Sequence, residues 1–236
     1  MIIDEFLKMA CLDGMLDDFI IDKNIIKMKD EKGEVAVIVE SKEDVFKTTF
    51  ALNNVNAVLN VIKSNALTEC SEEADKLLFK SKTSNSKYTK FKADPSIYDN
   101  STSRVLSKSK EDLLNLYSDK KIVIKLTDDL VKKIRNVVNT KLSDEIRFYS
   151  KSNKLFISVK SEAMDEFESY LCDTDLTIDN NYHSDKLTKI INNISNNYEI
   201  ILEYNNEDEK ALPLFIMGKT ESGLDTSYFI MPILEY

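Results

Sequence analysis

The hydrophobic positions change period several times along the chain, and the changes mark its elements. Residues 2–12 carry Ile3, Phe6, Leu7 and Ala10 at helical spacing. Strand-like runs follow at 16–22, 24–29, 34–40 and 45–52, with Gly33 in the turn KDEKGE offering positive φ. A second helix is expected over 53–65, with Val55, Val58, Leu59 and Ile62 on one stripe, then short strands at 67–70, 75–81 and 86–93. The order then recurs. A strand at 122–126 leads into a helix over 127–141, which Thr127 would cap while Asp128 and Asp129 favour its positive end. Strands are expected at 145–150, 154–161 and 166–173, a helix at 184–196 capped by Ser184, and strands at 198–205, 211–219 and 227–235.

Two copies of one helix–strands–helix–strands order imply an internal duplication. Residues 34–52 also echo residues 154–172 locally. In both, an apolar run ends in a charged residue and a serine (Glu40-Ser41, Lys160-Ser161), and an aromatic segment follows, with Phe46 set beside Phe167. Residues 94–121 between the copies follow a proline and are rich in Ser, Asp, Asn and Lys, which is linker chemistry. The expected fold is α+β: a first domain at 1–93, a connector at 94–121 and a second domain at 122–236.

Composition narrows the class. At 236 residues with 42% hydrophobic and 31% charged content, the chain can bury a core and does not read as disordered. No apolar run reaches the roughly 18–20 residues of a membrane span. The acid-interrupted start MIIDEFLKMACLDG is not a signal peptide, so the expected location is the cytoplasm and no membrane partner is expected. Cys11, Cys70 and Cys172 are too widely spaced for a metal pair, and reduced core thiols are expected. His183, the single histidine, reads as structural or surface. Catalytic signatures are missing, so no enzyme activity, cofactor or metal is expected. The pairs Asp17-Asp18 and Asp128-Asp129 suit turns and helix starts, and 207–209 suits a solvated hairpin tip.

Charge placement alters this picture. The net charge is −9, yet the helical segments 53–65, 128–141 and 184–196 hold seven cations against three acids. Helix 2–12 departs from this bias, since Asp4 and Glu5 outweigh Lys8. Asn- and Lys-rich helix faces suit contact with a phosphate backbone, which carries no base identity. Ordinary solvated faces would look the same on any single helix.

Three stretches carry a family resemblance: TTFALNNVNAVLNVI (48–62), YTKFKADPSIYD (88–99) and PLFIMGKTESGLDTSYFIMPILEY (213–236). With the duplicated order, they make nearly the whole chain resemble the sliding clamps of DNA replication, the family of proliferating cell nuclear antigen (PCNA), and most of all the clamps of tailed phages. Clamps of this family often begin with a strand, whereas a helix begins here at residue 2.

The resemblance implies a phage-encoded processivity factor acting in the host cytoplasm. It would be a head-to-tail homotrimeric ring around duplex DNA, with helices lining the channel and antiparallel sheets outside. An ATP-dependent clamp loader would place it, and it would tether DNA polymerase and other clamp-binding-motif proteins. It puts Lys63, Lys132, Lys133, Arg135, Lys141, Lys186, Lys189 and, less centrally, Lys8 toward DNA. It puts Lys87, Lys90 and Lys92 of one chain against Asp165, Glu166 and Glu168 of the next. It puts Val105, Leu106, Pro213, Phe229, Met231, Pro232 and Ile233 at a pocket for partner peptides. Two other readings stand beside it: a duplicated interaction module that does not bind DNA, and a clamp-like subunit of a heteromeric ring.

Overall fold

A computed structural model describes residues 2–97, 121–163, 165–203 and 213–233. It has four α-helices among these residues: α1 (Ile2–Cys11), α2 (Val55–Ser64), α3 (Asp128–Val138) and α4 (Ser184–Asn193). None is long and apolar enough to cross a membrane. The strands of the first half are β1 (Phe19–Asp22), β2 (Ile25–Lys29), β3 (Val35–Glu40), β4 (Thr49–Leu52), β5 (Glu69–Glu72), β6 (Lys76–Lys80) and β7 (Lys87–Phe91). Those of the second are β8 (Lys121–Lys125), β9 (Glu145–Lys151), β10 (Lys154–Lys160), β11 (Glu166–Asp173), β12 (Asp179–His183), β13 (Tyr198–Glu203), β14 (Leu214–Lys219) and β15 (Asp225–Ile230).

Helix ends follow local chemistry. The Thr127 side chain accepts a hydrogen bond from Leu130 N, as its position in the sequence implies. Two other starts differ from expectation. Helix α2 is preceded by Asn54 in a left-handed conformation with no side-chain cap. Its first N–H groups are met from outside, with Asn54 N donating to Asp18 Oδ1 at 2.8 Å and Asn56 N to Asp17 Oδ1 at 2.5 Å. Those two carboxylates also suit the positive end of the helix dipole. At α4 the cap position is His183, and Ser184 is already the first helical residue.

The sheets are antiparallel throughout. One has eight strands in the order β4-β1-β2-β3-β15-β14-β13-β8, one has four in the order β11-β10-β9-β12, and one has three in the order β5-β6-β7. The quartets β4-β1-β2-β3 and β12-β9-β10-β11 have the same internal order. That equivalence matches β3 with β11 and β2 with β10. The sequence echo, which set 34–52 over 154–172, is therefore out by one strand. The two halves join where β15 pairs with β3, from Asp225 opposite Glu40 to Ile230 opposite Val35.

Burial explains the strand compositions. On β3, Val35, Val37 and Val39 enter the main core, while Ala36 and Ile38 face a smaller cluster on the other side of the sheet. A strand buried on both faces reads as a continuous apolar run, and VAVIV is one. The main core holds residues of all four helices and lies on one face of the sheets. The smaller cluster holds Ala36, Ile201, Phe215 and Phe229, with the last two rings stacked at 4.4 Å. Helices α1 and α2 pack together, as do α3 and α4, and α3 lies on β10 and β11.

Candidate nucleic-acid and assembly surfaces

The cations expected on the helix face have several different surroundings. Lys8 on α1 and Lys63 in the last turn of α2 are exposed and line one groove between these helices, together with Asp4, Glu5, Asn56 and Asn60. Lys132 is exposed on α3, and Lys141 is exposed just beyond it. Lys133 pairs with Asp129 one turn back at 2.7 Å, an exposed contact that leaves it accessible. Lys189 is half-buried near the end of α1, where its charge reaches Cys11.

Two cations have internal partners instead. Arg135 donates to the carbonyls of Ile191, Asn192 and Ile194, at 3.3, 3.5 and 2.6 Å, so it satisfies the C-terminal end of α4. Lys186 pairs with Asp30 at 3.2 Å and with Glu34, both in the turn between β2 and β3 of the other half. Its side chain is 13% exposed, so it fastens α4 to the first half and does not stand as a surface cation. Neither role is visible in the sequence, because the partners lie 56 to 156 positions away. Also absent from the sequence reading was a reciprocal amide pair between Asn139 and Asn192, at 3.1 and 3.2 Å, which ties α3 to α4. A bond from Asn193 to Asp13 at 3.2 Å ties α4 to the segment after α1.

Among the described residues, strands β7 and β11 end their sheets. On β7, Lys87, Thr89 and Phe91 are exposed, and Phe91 retains 64% of its surface. Lys90 donates to Asn53 at 2.6 Å. Lys92 is a buried structural cation. It pairs with Glu72 at 2.6 Å, donates to Thr48 and to the Glu73 carbonyl, and sits 4.6 Å from the Phe50 ring centroid. Burial opposes ionisation of Glu72, but hydrogen bonds from Lys47 N, Lys92 and Thr48 outweigh it and hold its carboxyl below the usual range. Of the three lysines expected at a neighbouring chain, Lys92 is thus accounted for within this one.

On β11, Glu166, Phe167, Glu168 and Tyr170 are exposed, as is Asp165 just before it. Tyr170 packs edge-on against Phe156, which stacks on Tyr149, whose hydroxyl donates to Glu168. The β7 edge is therefore cationic with a protruding ring, and the β11 edge is acidic and aromatic.

At the expected peptide pocket, Phe229 and Pro232 are buried, and Pro213, Met231 and Ile233 are half-buried. Met231 N donates to the Glu34 carbonyl and Ile233 N to that of Asn181, so this segment crosses both halves. Val105 and Leu106 lie outside the described residues.

The thiols are shielded. Burial pushes Cys11 up to about 11 and Cys70 up to about 12, and it raises Cys172, with Asp173 adding to the effect. Alkylation of native protein by iodoacetamide at pH 8 should modify Cys11 at least about a hundredfold more slowly than the denatured chain. Equal rates in the two states, read by mass spectrometry, would contradict this burial. Among the described residues, no group of three or more His, Cys, Asp or Glu side chains could hold a metal ion.

No protein-family model matches the chain, and no curated protein matches its sequence. Solved structures do match its fold. PCNA from A. fulgidus, in a structure described as the C-terminal region of FEN-1 bound to A. fulgidus PCNA, superimposes with a TM-score of 0.66 at 14% identity, covering 99% of this chain and 97% of that one. PCNA from Entamoeba histolytica gives 0.66 at 14% identity over 98% and 95%. The PCNA2–PCNA3 complex from Sulfolobus tokodaii gives 0.67 at 14% identity over 98% and 96%. The chain has the PCNA-type clamp fold, an α+β architecture of helices and antiparallel sheets.

Proposed function

We propose that this chain is a sliding-clamp subunit, a non-enzymatic ring component that encircles duplex DNA without reading its sequence and tethers polymerase and other replication proteins. One observation carries the reading. Inside the chain, the last strand of one half (β15) pairs with the outer strand of the other half's quartet (β3). Their counterparts, β7 and β11, end their sheets, and one edge is cationic while the other is acidic. Repeating the internal junction between chains joins β7 of one copy to β11 of the next, a head-to-tail contact that closes when the rotation permits. Two halves in each chain give six around a homotrimer, with domains at 1–93 and 122–236 and a connector at 94–121.

The helices would then face the channel. Lys8, Lys63, Lys132, Lys133, Lys141 and Lys189 are the cations placed to meet phosphates there, whereas Arg135 and Lys186 act on the scaffold. Few and weak contacts suffice, because a closed ring is held by topology, and this reconciles DNA encirclement with a net charge of −9. Partner peptides of apolar-aromatic character would dock beside Pro213, Met231 and Ile233, with Val105 or Leu106 contributed by the connector. An ATP-dependent loader would open the ring, and a phage-encoded clamp would do this in its host's cytoplasm.

The test is retention on DNA. Protein loaded on closed circular duplex by a clamp loader should stay bound through gel filtration at moderate salt and be lost when the circle is cut once. Equal retention on circular and linear DNA would show a simple binder. A heteromeric ring is the second reading, because one fold neighbour is a complex of two different clamp proteins. It predicts that the pure chain fails to form a ring by itself.

A further inference from the structure

The junction within the chain is clasped by an ion cluster. Lys186, in the first turn of α4, reaches Asp30 at 3.2 Å and Glu34, in the turn between β2 and β3. Asp30 is held in place, since its other carboxylate oxygen accepts Val35 N at 2.9 Å. His183 stands 4.0 Å from Glu34, and Met231 N donates to the Glu34 carbonyl. The cluster therefore joins the second half's helix and C-terminal segment to the first half's hairpin, beside the β15–β3 ladder.

Helices α2 and α4 are equivalent, which identifies the counterpart of Lys186. Both have ten residues, and Val58 and Ile62 of α2 are buried as Leu187 and Ile191 of α4 are. Position 186 then corresponds to position 57, where an exposed alanine stands. The counterpart of the β2–β3 turn lies between β10 and β11, where Ser161 stands in the place of Asp30, its hydroxyl accepting Asp165 N at 3.1 Å as Asp30 accepts Val35 N, and Glu162, Asp165 and Glu166 are exposed. Lysines Lys29 and Lys160 end β2 and β10 alike, so they do not distinguish the two turns. A chain-to-chain junction on the internal pattern would place these carboxylates near Ala57 of the next chain, with no cation at that position to receive them.

Resting on the ring reading above, we propose that the junction between chains is the same junction with its clasp left out, so that the ring parts there while each chain keeps its internal curvature. What a single substitution can restore is the cation, since Glu162, Asp165 and Glu166 leave carboxylates beside the turn even with Ser161 in the place of Asp30. A lysine at 57 supplies it, and the seam becomes harder to open.

Sedimentation velocity of the full chain over a range of concentrations tests this, with wild type, Ala57→Lys and Ala57→Met compared and folding checked by circular dichroism. Ala57→Lys should move the assembly midpoint to about three- to tenfold lower concentration at low salt, with the gain shrinking as salt rises. Ala57→Met, which adds the stem without the charge, should not reproduce the salt-dependent gain. An unchanged or higher midpoint for Ala57→Lys, while wild type assembles, overturns the clasp inference and leaves the ring intact. Wild type that stays monomeric at every concentration overturns the homomeric ring itself, and this inference with it.

Discussion

Lys186→Met should lower the free energy of unfolding by about 3 kcal/mol, because it removes the shared cation of a half-buried cluster and leaves its acids behind. Asp30 retains only 13% of its side-chain surface and Glu34 30%, so neither can recover full hydration. Methionine keeps the apolar stem, which isolates the charge. For a chain of this size the loss corresponds to a fall in Tm of about 6–12 °C. Lys186→Met combined with Asp30→Asn should recover part of it, since fewer carboxylates are then stranded. A single variant that melts within a degree of wild type would show that the cluster is solvated and fastens nothing. The comparison with Ala57 sharpens the point. One fold position carries a stabilising lysine in one half and a methyl group in the other, so a superimposed backbone alone would not reveal which junction is the stronger.

Much of the architecture was legible because burial writes itself into spacing. All four helices and most strands were read from the sequence, and VAVIV in β3 and the Val131–Ile134–Val138 stripe of α3 follow directly from what they pack against. Strand β12 was not read. Its sequence is DNNYH, and only Asn180 and Tyr182 turn inward, so asparagines that pair with β9 look like turn residues when read alone. The repeat is visible in the sequence, but the local echo sets it one strand out of register. Strands β3 and β10 are alike in composition because both have a neighbour on each side, whereas β11, the true counterpart of β3, ends its sheet and carries Glu166 and Glu168. Composition followed the local surroundings and not the ancestry of the strand.

The surfaces were less legible for a related reason. Counting cations on helices finds charge but not its partner. Lys186, Arg135 and Lys92 look like surface charges in the sequence, and each is matched by groups that only the folded chain brings near. The acidity of α1 makes Lys8 the least central of the cations expected toward DNA, yet it shares a groove with Lys63. The acidic pair Asp17-Asp18 suits a turn or a helix start in the sequence, and in the structure it supplies the N-terminus of α2 with acceptors that Asn54 does not provide.

Phe91→Asp should separate assembly from folding. A phenylalanine with 64% of its surface exposed on a strand that ends its sheet contributes little to the core of its own chain, so the substitution should leave the melting curve of the monomer nearly unchanged. In the proposed ring, the same ring system would be covered by β11 of the next chain, where Phe167 and Tyr170 are also exposed. An aromatic anchor at such a contact commonly contributes about 2 kcal/mol or more, and aspartate would also bring a carboxylate toward Asp165, Glu166 and Glu168. The assembly midpoint should therefore rise by at least about thirtyfold in sedimentation velocity, with protein that remains folded by circular dichroism. Retention on circular DNA should fall with it, although Phe91 is not among the residues proposed to meet phosphates. A variant that assembles at the wild-type concentration would show that β7 is not the joining edge. A variant that unfolds would show instead that Phe91 serves the core of its own chain.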